Sequence, residues 1–155
     1  MSVTHGMFCL ERTYDAPPAR VFAAFATEEG KSRWFSGSND AWDQVHRAFD
    51  FRVGGREAME GRWKTGMISR FDATYYDIKD GERIVYVYEM TINGTKISTS
   101  LATVEFAADG AGTRLKVTEQ GAFLDGYDDA GSRERGTAGL MEQLRAAVER
   151  QSADA

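Results

Sequence analysis

The stretch Arg83 to Met90, RIVYVYEM, alternates Tyr86, Tyr88 and Met90 with Val85, Val87 and Glu89, so bulky apolar groups fall on both faces of one extended strand. A strand in a small antiparallel sheet ordinarily keeps one face polar for water, so this pattern predicts a layer that covers it. The same period of two runs through much of the chain. Met7 to Tyr14 places Phe8, Leu10 and Tyr14 on one face. From Arg47, RAFDFRVGGR alternates Phe49, Phe51 and Val53, then turns at Gly54 and Gly55, where positive φ costs little. EAMEGRW puts Glu57, Met59, Gly61 and Trp63 on one side. MISRFDATYYDI, RIVYVYEM, KISTSLATVEF and TRLKVTEQGAF follow, divided by the turns KDGE, Asn93-Gly94 and AADGAG.

Two regions change to helical spacing. In DAPPARVFAAFAT, Pro17 and Pro18 suit a first helical turn, and Val21, Phe22, Phe25 and Ala26 share a face. Thr27 is placed to cap a second short helix, EEGKSRWF, with Glu28 and Glu29 at its positive end and Lys31 and Arg33 towards its negative end. From about Asp128 to Gln151, Leu140, Leu144 and Val148 recur every fourth residue, with Met141 and Ala147 beside them. Strand, two helices, about six antiparallel strands and a long last helix make an α+β pattern. Such a helix has one apolar place to go, the concave face of the curved sheet. The chain is expected to be one domain over 1–155, with residues 1–6 and 152–155 frayed.

Composition narrows the function classes. With 155 residues, 42% hydrophobic and 28% charged, the chain can bury one sizeable core. Its 24 acidic and 19 basic residues give a net charge of −5, against the basic surface a nucleic acid requires. No run approaches the roughly 18 apolar residues of a membrane span, and MSVTHGMFCLERTY has no signal-peptide pattern. The single cysteine, Cys9, rules out an internal disulfide and is expected as a small buried hydrophobe in a reducing cytoplasm. His5 and His46 have no partner at metal-ligand spacing, and FRVGGR matches no dinucleotide or phosphate loop, so neither metal nor cofactor is expected.

The candidate site lies between sheet and last helix. Register places Tyr86, Tyr88 and Met90 with Leu101, Leu115 and Val117, and adds Met59, Trp63, Tyr75, Phe123, Met141 and Leu144. Buried tyrosine hydroxyls need partners, so Tyr75, Tyr86 and Tyr88 suit a pocket that is apolar with a few polar groups. Glu119 alternates in phase with Thr113, Leu115 and Val117, which points a carboxylate inward. Such a group either pairs, here with Arg133 or Arg135, or takes a raised pKa and can act as an acid, a base or a ligand anchor. Trp34, Phe35 and Trp42 suit packing or a pocket mouth, and Arg62 and Arg83 suit a sheet edge or a counter-charge to an acidic ligand group. Gly136 and Gly139 each cost a helix about 1 kcal/mol relative to Ala, which suggests close approach or a flexible lid.

The order of these phrases, APPARVFAAFAT, RWF, FDFRVGGR, YYDIKDGERIVYVYEM, ISTSLATVEF, GTRLKVTEQGAFLDG and RERG, resembles the START-like superfamily with its helix-grip fold. More narrowly it resembles bacterial single-domain relatives of the C-terminal domain of the activator of Hsp90 ATPase. Many of those carry Trp after the glycine that stands here as Gly136, where this chain has Thr137. The resemblance implies a cavity for a lipid, an aromatic or another hydrophobic small molecule. It also implies two alternatives: a chaperone partner, or a cyclase or hydrolase activity with Glu119 as acid or base. The open edges of such a sheet suit a homodimer.

Overall fold

Turn chemistry and alternation fix the architecture. Asn93 and Gly94 adopt φ values of 49° and 82°, the paired positive angles that favour a tight two-residue hairpin. Asn93 also secures the neighbouring strand, its side-chain oxygen accepting from the Ile68 amide at 2.9 Å. The computed structural model describes residues 2–36 and 40–154, with side chains as far as Glu149. Its elements are β1 (Val3–Tyr14), α1 (Pro18–Ala26), α2 (Glu28–Ser32), β2 (Trp42–Phe49), β3 (Arg56–Trp63), β4 (Ile68–Lys79), β5 (Arg83–Ile92), β6 (Thr95–Asp109), β7 (Gly112–Leu124) and α3 (Ala130–Asp154). The seven strands form one antiparallel sheet in the order β1-β7-β6-β5-β4-β3-β2. Bulges interrupt β2 after Gln44, β4 after Tyr75 and the β5–β6 pair after Met90, and such bulges bend and twist a sheet. The result is the α+β helix-grip arrangement expected from the element order.

The helices occupy the concave side. α1 begins at Pro18 and buries Val21, Phe22, Ala24 and Phe25. The Thr27 hydroxyl caps α2 by accepting from the Gly30 amide at 3.0 Å. α3 docks through buried Met141, Leu144 and Val148. The Tyr14 hydroxyl donates to the Met141 carbonyl at 2.9 Å, and Arg145 donates to the Thr13 carbonyl at 3.0 Å. Phe8, Leu10, Leu115, Val117, Val104 and Phe106 complete this end of the core.

Several expectations need correction. β1 starts at Val3, and Val3 to Gly6 pair with Leu124 to Gly121, so the beginning of the chain is held in the sheet; Met1 and Ala155 lie outside the described residues. Cys9 is exposed, because Phe8 and Leu10 take the inner face and alternation turns residue 9 outward. β2 begins at Trp42 and ends at Phe49. Phe51 lies beyond it, its ring 5.0 Å from that of Tyr75, while Val53 is 57% exposed. Leu101 is assigned to the wrong face by the sequence reading: it pairs with Val87 on the convex side and is 37% exposed. A one-residue slip in register moves a whole set of side chains across the sheet. The inner residues of β6 are Ser98, Ser100, Ala102, Val104 and Phe106. Among the described residues no helix covers the convex face, so Val85 and Val87 are shielded by flanking strands and remain only partly buried.

Candidate functional site

A cavity of about 460 Å³ lies between the first turns of α3 and the concave face of β3, β4 and β5. Its aromatic wall comprises Trp34, Phe35, Trp42, Trp63, Phe71 and Tyr86, and Met59, Met90 and Met141 are also on it. Each strand contributes its inward set. Met59 and Gly61 come from β3, Phe71 from β4, and Tyr86, Tyr88 and Met90 from β5. The space persists because α3 offers little to fill it. Gly136 and Gly139 line the cavity, and a Cβ at either position would meet nothing within 4 Å. The two glycines therefore mark open space; the close approach suggested by sequence is not found.

Of the predicted site residues, Trp63, Tyr86, Tyr88, Met90, Glu119, Met141 and Leu144 line this cavity. Three do not. Leu101 is on the convex face. Phe123 is buried beyond the wall, its ring 5.4 Å from the Arg133 guanidinium. Tyr75 is 2% exposed and is held behind the wall by its hydroxyl, which donates to Glu57.

Two polar clusters flank the hollow. In the first, Glu119, from β7, accepts from the Tyr88 hydroxyl at 2.5 Å. Arg133, on α3, donates to the same hydroxyl at 3.0 Å, to Ser98 Oγ at 2.8 Å and to Asp128 at 2.8 Å. Arg133 thus serves Tyr88 and Asp128 directly and reaches Glu119 only through Tyr88; Arg135 is bonded to Ser132 instead. Burial raises the Glu119 pKa, and the Tyr88 hydrogen bond and the Arg133 charge offset this only in part. A carboxyl so placed holds its proton more readily than one in water.

The second cluster is absent from the sequence reading as a unit. Lys31, from α2, is 3% exposed and donates to Glu57 Oε1 at 2.6 Å. Arg47, from β2, donates to Glu57 Oε2 at 2.7 Å. The Lys31 ammonium lies 4.6 Å from the Phe35 ring centroid and within 6.0 Å of those of Trp34, Phe49, Phe71 and Tyr86. Burial lowers the Lys31 pKa, against the opposing attraction of Glu57. For Glu57 burial acts upward, but Lys31, Tyr75 and Arg47 together hold its carboxyl below the usual range. Glu57 carries a sequence signal, since it is in phase with Met59 and Gly61. Lys31 carries none, because a lysine near a helix C-terminus ordinarily points to water.

Between the clusters stands Tyr86. It lines the cavity, and its hydroxyl makes no hydrogen bond among the described residues. Burial raises its pKa well above the ordinary value, and the Glu119 charge adds to that, so it stays a neutral phenol able to donate to or accept from an occupant.

Comparison with known proteins sets this geometry in context. Residues 15–149 match the family described as Activator of Hsp90 ATPase homolog 1-like protein. The crystal structure of the Mll3558 protein from Rhizobium loti is 46% identical, covers 95% of this chain and 99% of its own, and superposes with a TM-score of 0.87. A putative uncharacterized protein from Rhizobium leguminosarum is 41% identical over 96% of this chain and 97% of its own, with a TM-score of 0.91. The AHSA1-like protein from Aeromonas hydrophila, at 18% identity over 95% and 94% of the two chains and a TM-score of 0.72, shares the fold. Comparison with curated proteins gave no match.

Proposed function

The chain belongs to the Activator of Hsp90 ATPase homolog 1-like family, and from that premise we propose that it binds a hydrophobic or aromatic small molecule, or a lipid, in the hollow under α3. The observation that carries this reading is the unbonded Tyr86 hydroxyl on an otherwise largely aromatic and thioether wall. Tyr86 is half-buried on that wall, and its hydroxyl offers one donor and one acceptor to an occupant that carries a polar group. The volume supports the reading, since small-molecule sites span about 300–1,000 Å³ and combine apolar walls with a few placed polar groups.

Native mass spectrometry of the purified protein tests it directly, by showing a retained molecule that denaturation releases. A thermal-shift screen of fatty acids, fatty alcohols and aromatic compounds is the second arm, because a molecule selective for the folded state raises the melting temperature. Glu119→Gln should weaken binding more than it lowers stability. A fall in melting temperature with unchanged affinity would reassign Glu119 to the fold. If no compound responds while a chaperone ATPase does, the family's name, and not the cavity, is the better guide to function.

A further inference from the structure

The charge count beside the cavity identifies what its occupant carries. Lys31 and Arg47 are two basic groups around one carboxylate, and their side chains are 4% and 6% exposed while that of Glu57 is fully buried. Among the described residues, Glu57 is the one carboxylate acting on Lys31. A guanidinium is a fixed cation in proteins, and Lys31, Tyr75 and Arg47 hold the Glu57 carboxyl ionised. The pair Arg47–Glu57 is therefore neutral, and the Lys31 charge is left over. Hydrogen bonding agrees with charge. Arg47 Nε and Nη2 are buried without partners. An ammonium has three donors, and Lys31 uses one fully on Glu57 and a second only weakly, on the Tyr75 hydroxyl at 3.5 Å. Lys31 is also on the cavity wall. A buried cation in excess of its carboxylates is costly until an anion joins it.

We propose that the occupant is an organic acid, an apolar body bearing one carboxylate that ion-pairs with Lys31 while its hydrocarbon part lies against Phe35, Phe71 and Tyr86. This rests on the reading of the cavity as a ligand site. Two routes reach the same complex. A carboxylate joins a Lys31 ammonium directly, or a neutral carboxylic acid gives its proton to a neutral Lys31 amine, and both end as carboxylate and ammonium. Burial lowers the Lys31 pKa, which favours the second route relative to an exposed lysine. Among the described residues, the groups facing Lys31 are Glu57, Arg47, Tyr75, Tyr86 and the rings around it, with no acid besides Glu57.

Isothermal titration with matched pairs tests the inference: a naphthoic acid against its primary amide, and decanoic acid against decanol. The acid should bind about tenfold to a hundredfold more tightly in each pair, the range expected for one buried hydrogen bond to a charged group. Lys31→Met keeps the side-chain length, leaves Glu57 with Arg47 and Tyr75, and should equalise acid and neutral affinities while neutral binding persists. Should that variant not fold, the wild-type pairs decide alone. Equal or weaker binding of the acids overturns the inference and leaves the container reading standing. Failure of all four compounds, with no retained molecule in native mass spectra, overturns both.

Discussion

Replacing Glu57 by Gln removes the carboxylate that holds Lys31 at 2.6 Å and Arg47 at 2.7 Å. The amide preserves shape and leaves two buried basic groups without a counter-charge. Removing one partner of a buried ion pair costs about 3–5 kcal/mol, because the remaining charge is neither hydrated nor matched. Against a total stability of about 5–15 kcal/mol this is a large fraction. It corresponds to a fall in melting temperature of about 6–20 °C, at about 2–4 °C per kcal/mol for a chain of this size. The loss should also depend on pH. Burial already lowers the Lys31 pKa, and losing Glu57 lowers it further, so the folded variant binds fewer protons than the unfolded chain. Stability then rises with pH through the window between the folded and unfolded values of Lys31. Urea denaturation followed by tryptophan fluorescence should show the Glu57→Gln deficit shrinking as pH rises towards 10.5, the ordinary lysine value above which both states have released the proton. Adding Lys31→Met should recover part of the deficit by removing one stranded cation, and the double-mutant cycle gives the coupling directly. A deficit under about 1 kcal/mol, flat with pH, would mean that water already screens the cluster, and the excess-charge argument would fail with it.

Glu119 gives the opposite sign. Its carboxyl is raised above the ordinary 4.5 by burial, with Tyr88 and Arg133 opposing, so the folded state holds a proton that the unfolded state has released. Wild-type stability should therefore decline relative to Glu119→Gln as pH rises from about 4.5 through the raised value, and parallel denaturation curves for the two proteins would instead show a solvated carboxyl. On the cavity wall, Gly139→Ala should add about 1 kcal/mol of stability through helix propensity while weakening the binding of large occupants, as its Cβ enters the open space of the cavity. Thr137→Trp, which adds bulk to a residue lining the cavity, should reduce the affinity for large aromatic compounds in the same titrations without a matching loss of melting temperature. Gly61→Ala should do both kinds of damage, because a methyl there overlaps the Trp42 indole; a shift in tryptophan emission together with weakened binding is expected, and unchanged emission would place Trp42 elsewhere in solution.

Most of the fold was legible because its signals are local. Pro17 and Pro18, the Thr27 cap, Asn93-Gly94 and the period-two runs each fix backbone within a few residues. Glu119 was legible by the same logic, since strand alternation alone turns it inward. Leu101 was not, because facing strands can slide by one residue without altering either pattern, and only the pairing of Val87 with Leu101 sets the face. Lys31 was invisible for a different reason. Its role comes from Glu57, 26 residues later, and from Arg47, contacts that exist only after β2 and β3 close over α2. Arg133 lies between these cases: its partnership with Glu119 was anticipated, but Tyr88 mediates it.

The hollow itself follows from what the two halves of α3 lack and supply. The second half carries Leu144 and Val148, 0% and 1% exposed, and the Tyr14 and Arg145 hydrogen bonds draw it onto β1. The first half presents Gly136, Thr137 and Gly139 towards the sheet, residues too small to span the gap. Collapse of that half is resisted at its start by Arg133, whose hydrogen bonds to Tyr88 and Ser98 set its height above β5 and β6. A helix seated by apolar contact at one end and held by a guanidinium at the other cannot close the space between without breaking one of these sets. The same Arg133 contacts fix the Tyr88 hydroxyl on Glu119, so the group that keeps the cavity open also orders the acidic cluster at its edge.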